Sequence, residues 1–167
     1  MCDNRDALAP KDDAEFQNFF GKNKKWEIFG GHRIWLSPES YPESYYPDTT
    51  PVKYEITEHG AIFTPEAEIQ NGVQKQLEIK MDPDDANMQV IMRVKNITEA
   101  PKEFSIWGLT VSAQDGTVIV PMNDNDTGLL HNRNISVWPY TDLSDSRLHF
   151  GNHYVTLHQD RNNQQSF

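Results

Sequence analysis

Residues 74–97 constrain the fold more than any other stretch, because two runs of strict alternation flank a cluster of turn formers. Leu77, Ile79 and Met81 alternate with polar neighbours, and Met88, Val90, Met92 and Val94 do the same. A period of two places all the apolar side chains of a strand on one face. Between the runs stands Asp82-Pro83-Asp84-Asp85, in which the proline presets a turn backbone and the aspartates bond their own main chain. The stretch therefore reads as an antiparallel β-hairpin whose register follows from its alternation.

The rest of the chain repeats this grammar. Val52, Tyr54 and Ile56 alternate, Phe104–Val111 is rich in β-formers, and Gln114-Asp115-Gly116 supplies a turn before Val118–Val120. Those last two runs are expected to form a second hairpin. Tyr154, Thr156 and His158 alternate with Val155 and Leu157 near the end, and Trp138–Asp145 is so dense in turn formers that it reads as a structured loop. Before Trp26 the chain is polar except for Phe16, Phe19 and Phe20, which fit one helix face with Asp12 or Asp13 as cap. The sequence thus predicts an all-β, antiparallel β-sandwich over 26–167, preceded by a polar lead-in over 1–25 that holds a short N-terminal helix.

Composition narrows the function by exclusion. Among 167 residues, 25 Asp and Glu oppose 15 Lys and Arg, a formal charge of -10 that repels nucleic-acid phosphates. No apolar run reaches the roughly 18 residues of a membrane helix, and the first ten residues lack a signal-peptide core. A soluble protein is expected, cytoplasmic or, if a signal was removed before Met1, periplasmic or a surface lipoprotein held through Cys2. That single cysteine offers no intramolecular disulfide and no cysteine-rich zinc site. His149 and His153 have the spacing of two ligands on a helical turn, but Gly151 and Asn152 between them disfavour a helix. No metal and no cofactor is expected, and no phosphate-binding loop or nucleophile elbow is present.

The segment richest in chemistry is Gly30-Gly31-His32-Arg33-Ile34-Trp35, followed by Ser37-Pro38-Glu39. Paired glycines let a backbone run close to a ligand, and the four functional side chains offer a proton donor, a hydroxyl-binding fork, a flat apolar face and a base. That inventory suits a sugar. The same string also reads as a buried strand with a glycine bulge in which Arg33 and Glu39 pair across the surface. Tyr41, Tyr45 and Tyr46, set among prolines, either stack on a pyranose or cover the end of a sandwich.

Gly30–Glu39, the Asn96–Pro101 turn, Trp107–Thr110, Gly116–Pro121 and Asn132–Asn134 through Trp138–Asp142 follow one another in an order that resembles a bacterial branch of the galactose mutarotase-like superfamily, related to the aldose 1-epimerases. The resemblance spans roughly residues 26–160. It implies a twisted antiparallel supersandwich with a sugar-sized cleft, and a chemistry in which a carboxylate deprotonates the anomeric hydroxyl while a histidine protonates the ring oxygen. His32 would then be the acid and a carboxylate such as Glu39 or Asp142 the base, with Arg33, Trp35, Trp107, Trp138 and Asp142 as the residues holding the sugar. Two departures stand against catalysis. Ile106-Trp107-Gly108-Leu109 occupies the place of the second epimerase histidine, and the C-terminal glutamate base has no counterpart before Phe167. The resemblance therefore implies an incomplete supersandwich, with open edges inviting homo-oligomer formation. Its function is expected to be carbohydrate recognition with or without epimerase-type activity; the alternative is a non-catalytic structural or protein-interaction module.

Overall fold

The computed structural model describes residues 11–111, 113 and 115–160; Cys2 and Gln114 lie outside them. The protein is all-β and antiparallel, with one short α-helix among the described residues. It divides into two compact units, one ending at Val111 and the other beginning at Ser112.

In the first unit, helix α1 (Ala14–Phe20) precedes β1 (Gly31–Ser37), a 3-10 turn (Glu43–Tyr45), β2 (Lys53–Thr57), β3 (Gly60–Thr64), β4 (Val73–Met81), β5 (Met88–Asn96) and β6 (Ser105–Val111). The expected hairpin is β4–β5, paired from Val73↔Asn96 to Met81↔Met88. Its turn closes through Asp82 N–H to the Asn87 carbonyl at 3.0 Å and through the Asp82 carboxylate, which accepts from Asp84 N–H at 2.9 Å. β2 and β3 extend it into a four-stranded meander, β2-β3-β4-β5. One face of the meander is polar, where Glu78 accepts from Arg93 at 2.5 Å and lies 3.3 Å from Lys80. The other carries Phe63, Leu77 and Met92 in one cross-strand row and Ala61, Ile79 and Val90 in the next.

β1 and β6 form a separate two-stranded ribbon, with Trp35 opposite Trp107 and His32 opposite Thr110. Alternation gives the ribbon two uses. Its His32 face meets the apolar face of the meander at Met92, whose sulfur lies 3.2 Å from His32 Nε2. Gly108 makes this approach feasible, since a Cβ there would sit 3.0 Å from Met92 and 3.1 Å from the His32 ring. The opposite face, with Trp35 and Trp107, joins the aromatic core of Phe16, Phe20 and Trp26, against which Tyr41, Tyr45 and Tyr46 pack. Trp26, Tyr45 and Trp107 surround Trp35 with ring centroids 4.9–6.1 Å away. Each such aromatic pair contributes about 0.5–1.5 kcal/mol beyond burial.

α1 has seven residues, too few to persist alone. Two features hold it: Phe16 and Phe20 are buried in the core, and Asp13 caps it by accepting from Phe16 N–H at 3.0 Å. The other Asp13 oxygen accepts from Tyr41 Oη at 2.5 Å. These bonds hold the Asp13 carboxyl below its ordinary range, and burial together with Asp13 pushes the Tyr41 phenol up.

The second unit contains β7 (Thr117–Pro121), β8 (Leu148–Phe150) and β9 (Tyr154–His158) in the order β7-β9-β8. The expected hairpin between Phe104–Val111 and Val118–Val120 does not form. β6 pairs with β1, and β7 pairs with β9. Local turn chemistry yields here to cross-strand apolar pairing, which joins Trp107 to Trp35 in one case and sets Val118 against Leu157 and Val120 against Val155 in the other. The Trp138–Asp145 loop is built of consecutive turns, closed by Thr141 N–H to the Trp138 carbonyl and by Asp145 N–H to that of Asp142.

Candidate functional site

The double glycine leads directly into the candidate site. Gly31 has φ of 97°, a conformation open to glycine and costly for other residues, and it delivers the chain into β1. From there the first unit forms a cleft of about 370 Å³. β1 contributes His32 and Arg33, the following loop Pro47 and Asp48, and the apolar face of the meander Phe63 and Leu77.

The two β1 residues are firmly held. Arg33 donates from Nε to Asp48 at 3.0 Å, places its guanidinium 5.2 Å from the centre of the Trp26 ring, and has a side chain only 15% exposed. A cation stacked on an indole face and bonded to a carboxylate is doubly oriented. His32 engages both ring nitrogens: Nδ1 lies 2.9 Å from Thr110 Oγ1, and Nε2 faces the Met92 sulfur. To protonate a ligand it would have to give up one of these partners.

A buried charge pair also lines the cleft. Lys75 Nζ lies 2.5 Å from Glu68 Oε1, with the two side chains 11% and 4% exposed. Asn71 Nδ2 donates to the other Glu68 oxygen at 2.7 Å and to the Glu43 carbonyl at 2.9 Å. Glu68 is pinned by its backbone as well, through reciprocal bonds to Val73. Nearby, the Tyr46 phenol is pushed up by burial and then by the Glu68 charge. Glu68 and Lys75 line a second cleft of about 330 Å³ together with Phe19, Leu36, Asn71 and Lys102, and the buried Asn71 Oδ1 has no hydrogen-bond partner. Sequence reasoning missed this cluster. Its signal was Lys75, a charged residue in phase with Val73, Leu77 and Ile79 on the apolar side of the strand.

Of the residues singled out from sequence, the structure brings His32 and Arg33 to one cleft. Glu39 lines neither cleft; exposed, it accepts from Tyr45 Oη at 2.5 Å. Arg33 is paired with Asp48 rather than with Glu39. Trp35 is buried in the aromatic core and Trp107 is half-buried edge-on to it. Trp138 and Asp142 belong to the second unit. There Trp138 stacks on Tyr140 at 6.1 Å, and Asp142 accepts from Ser144 Oγ and N–H, which hold its carboxyl below the ordinary range. His153 lies 3.3 Å from Asp124. Among the described residues no group of three or more His, Cys, Asp or Glu is arranged to hold a metal, and no helix is long and apolar enough to cross a membrane. Comparison with protein-family models, curated proteins and solved structures found no match to this chain.

Proposed function

We propose that the first unit is a carbohydrate-recognition module whose ligand, a neutral sugar, sits in the cleft between β1 and the apolar face of the meander. The observation that carries this reading is the lining itself. Phe63 and Leu77 offer apolar surface, while Arg33–Asp48 and Lys75–Glu68 present charges already paired within the protein. A pyranose has that dual character, with an apolar face and a ring of hydroxyls that bond well to paired donors and acceptors. The volume of about 370 Å³ lies within the roughly 300–1,000 Å³ of small-ligand sites. The resemblance to the galactose mutarotase-like superfamily points the same way. No cofactor is needed for this role.

Recognition without ring opening is the form we favour, because His32 has both nitrogens engaged and Glu39 stands outside the cleft. A structural or interaction module is the second reading, favoured by the burial of Trp35 and the packing of Trp107 against it.

Saturation-transfer NMR with a panel of neutral aldoses, combined with exchange spectroscopy of their anomers, tests the proposal. Contact without accelerated anomer interconversion, lost when Thr50→Trp fills the cleft from its loop, is the expected result. Accelerated interconversion lost in His32→Ala would establish an epimerase instead, and absence of contact with every sugar would leave the structural reading standing.

A further inference from the structure

β2 is an edge strand, hydrogen-bonded to β3 on one side and to no other described strand on the other. The His59 carbonyl accepts from Met81 N–H at 2.7 Å, so the main-chain groups of the odd-numbered residues of β3 bond to β4 and those of Gly60, Ile62 and Thr64 bond back to Thr57, Glu55 and Lys53. The N–H and C=O groups of Tyr54 and Ile56 consequently point away from the sheet. Their side chains are 70% and 71% exposed, and that of Val52, next on the same face, 46%. Edges of this kind are commonly protected by charge, and Lys53 and Glu55 are the charges on this one.

The order of those charges favours self-pairing in a single register. Two antiparallel copies of β2 centred on Glu55 would set that carboxylate against itself, and a one-residue shift would lay apolar residues against polar ones. Centred on Tyr54, Lys53 of each copy stands opposite Glu55 of the other, twice by symmetry. Val52 then faces Ile56 on the apolar side, and the outward N–H and C=O groups of Val52, Tyr54 and Ile56 fall in the bonding phase. We propose that the protein forms a two-fold symmetric dimer through β2 in this register, joining two four-stranded meanders into one eight-stranded sheet. The occupant of the edge is a second copy of the chain because the strand is complementary to itself in both charge and hydrogen-bond phase.

Sedimentation velocity over a concentration series, in reductant so that Cys2 links nothing, tests the dimer. Wild type should dimerise. Lys53→Glu and Glu55→Lys should each weaken association on the order of tenfold, since two attractive pairs become repulsive, and the double reversal should restore it. Tyr54→Pro removes an outward N–H, leaves the β2–β3 ladder intact and should yield a monomer with an unchanged far-UV spectrum. A wild type that is monomeric throughout, a double reversal that fails to rescue, or a Tyr54→Pro protein that still dimerises would overturn the proposal.

Discussion

Replacing Lys75 by Met leaves side-chain volume nearly unchanged and strands the Glu68 carboxylate in a site where it is 4% exposed. Removing one partner of a buried ion pair costs about 3–5 kcal/mol, because the remaining charge is desolvated without compensation. The Asn71 amide still donates to Glu68 at 2.7 Å, so the lower end of that range, about 3 kcal/mol, is expected. Adding Glu68→Gln removes the orphan charge and retains an acceptor for Asn71, and the double variant should lie within about 1 kcal/mol of wild type. The coupling in this cycle is then about 2 kcal/mol or more, well beyond what non-interacting sites give. Urea unfolding of all four proteins, followed by far-UV dichroism and tryptophan fluorescence, measures it. A Lys75→Met cost below about 1 kcal/mol, or a double variant no better than the single, would refute the reasoning that the pair is desolvated and mutually dependent.

Two further outcomes follow from the geometry. A Cβ at Gly60 would collide with the Ile79 carbonyl, a backbone atom that cannot swing aside, so Gly60→Ala should lower the stability of the meander by about 1–3 kcal/mol, read as a lower urea midpoint; an unchanged midpoint would show that the hairpin shifts freely. Asp145 is bonded by the Arg147 guanidinium and backbone N–H, which lower its carboxyl to about 2; its stabilising contribution should be complete above the unfolded carboxylate value of about 3.9 and disappear as pH falls from there through about 2, and a carbon-detected titration placing Asp145 at the ordinary value would exclude this.

Much of the sheet was legible because alternation and turn chemistry act locally. The β4–β5 hairpin, the capped helix on Phe16 and Phe20, the strand at Tyr154–His158 and the looped Trp138–Asp145 tract all lie where the residues place them. Strand partnership was less legible, because it depends on apolar pairs far apart in sequence. Nothing near Trp35 announces Trp107 across the ladder, and Asp115-Gly116 signals a turn whether or not its flanks pair. The site divides in the same way. The double glycine drew attention to His32 and Arg33, both of which line the cleft, but the close backbone approach expected there is not what it serves, since a Cβ on Gly30 or Gly31 would meet no atom within 4 Å. Glu39 and Trp35, near neighbours in sequence, are drawn off by Tyr45 and by the aromatic core. The Glu68–Lys75 pair was hidden because a lysine in an amphipathic strand ordinarily reads as solvent-facing.

The aromatic core has an optical consequence. Trp35 and Trp107 face each other across one ladder position with centroids 5.7 Å apart and planes inclined at 81°. Two indole chromophores so close and so skewed couple their electronic transitions, and the coupling gives a bisignate contribution in circular dichroism whose amplitude depends on their separation and tilt. The pairing of β1 with β6 thus contributes its own signal, readable in the unlabelled protein and reduced by substituting Trp107 to what the Trp26–Trp35 pair, 6.1 Å apart, gives alone.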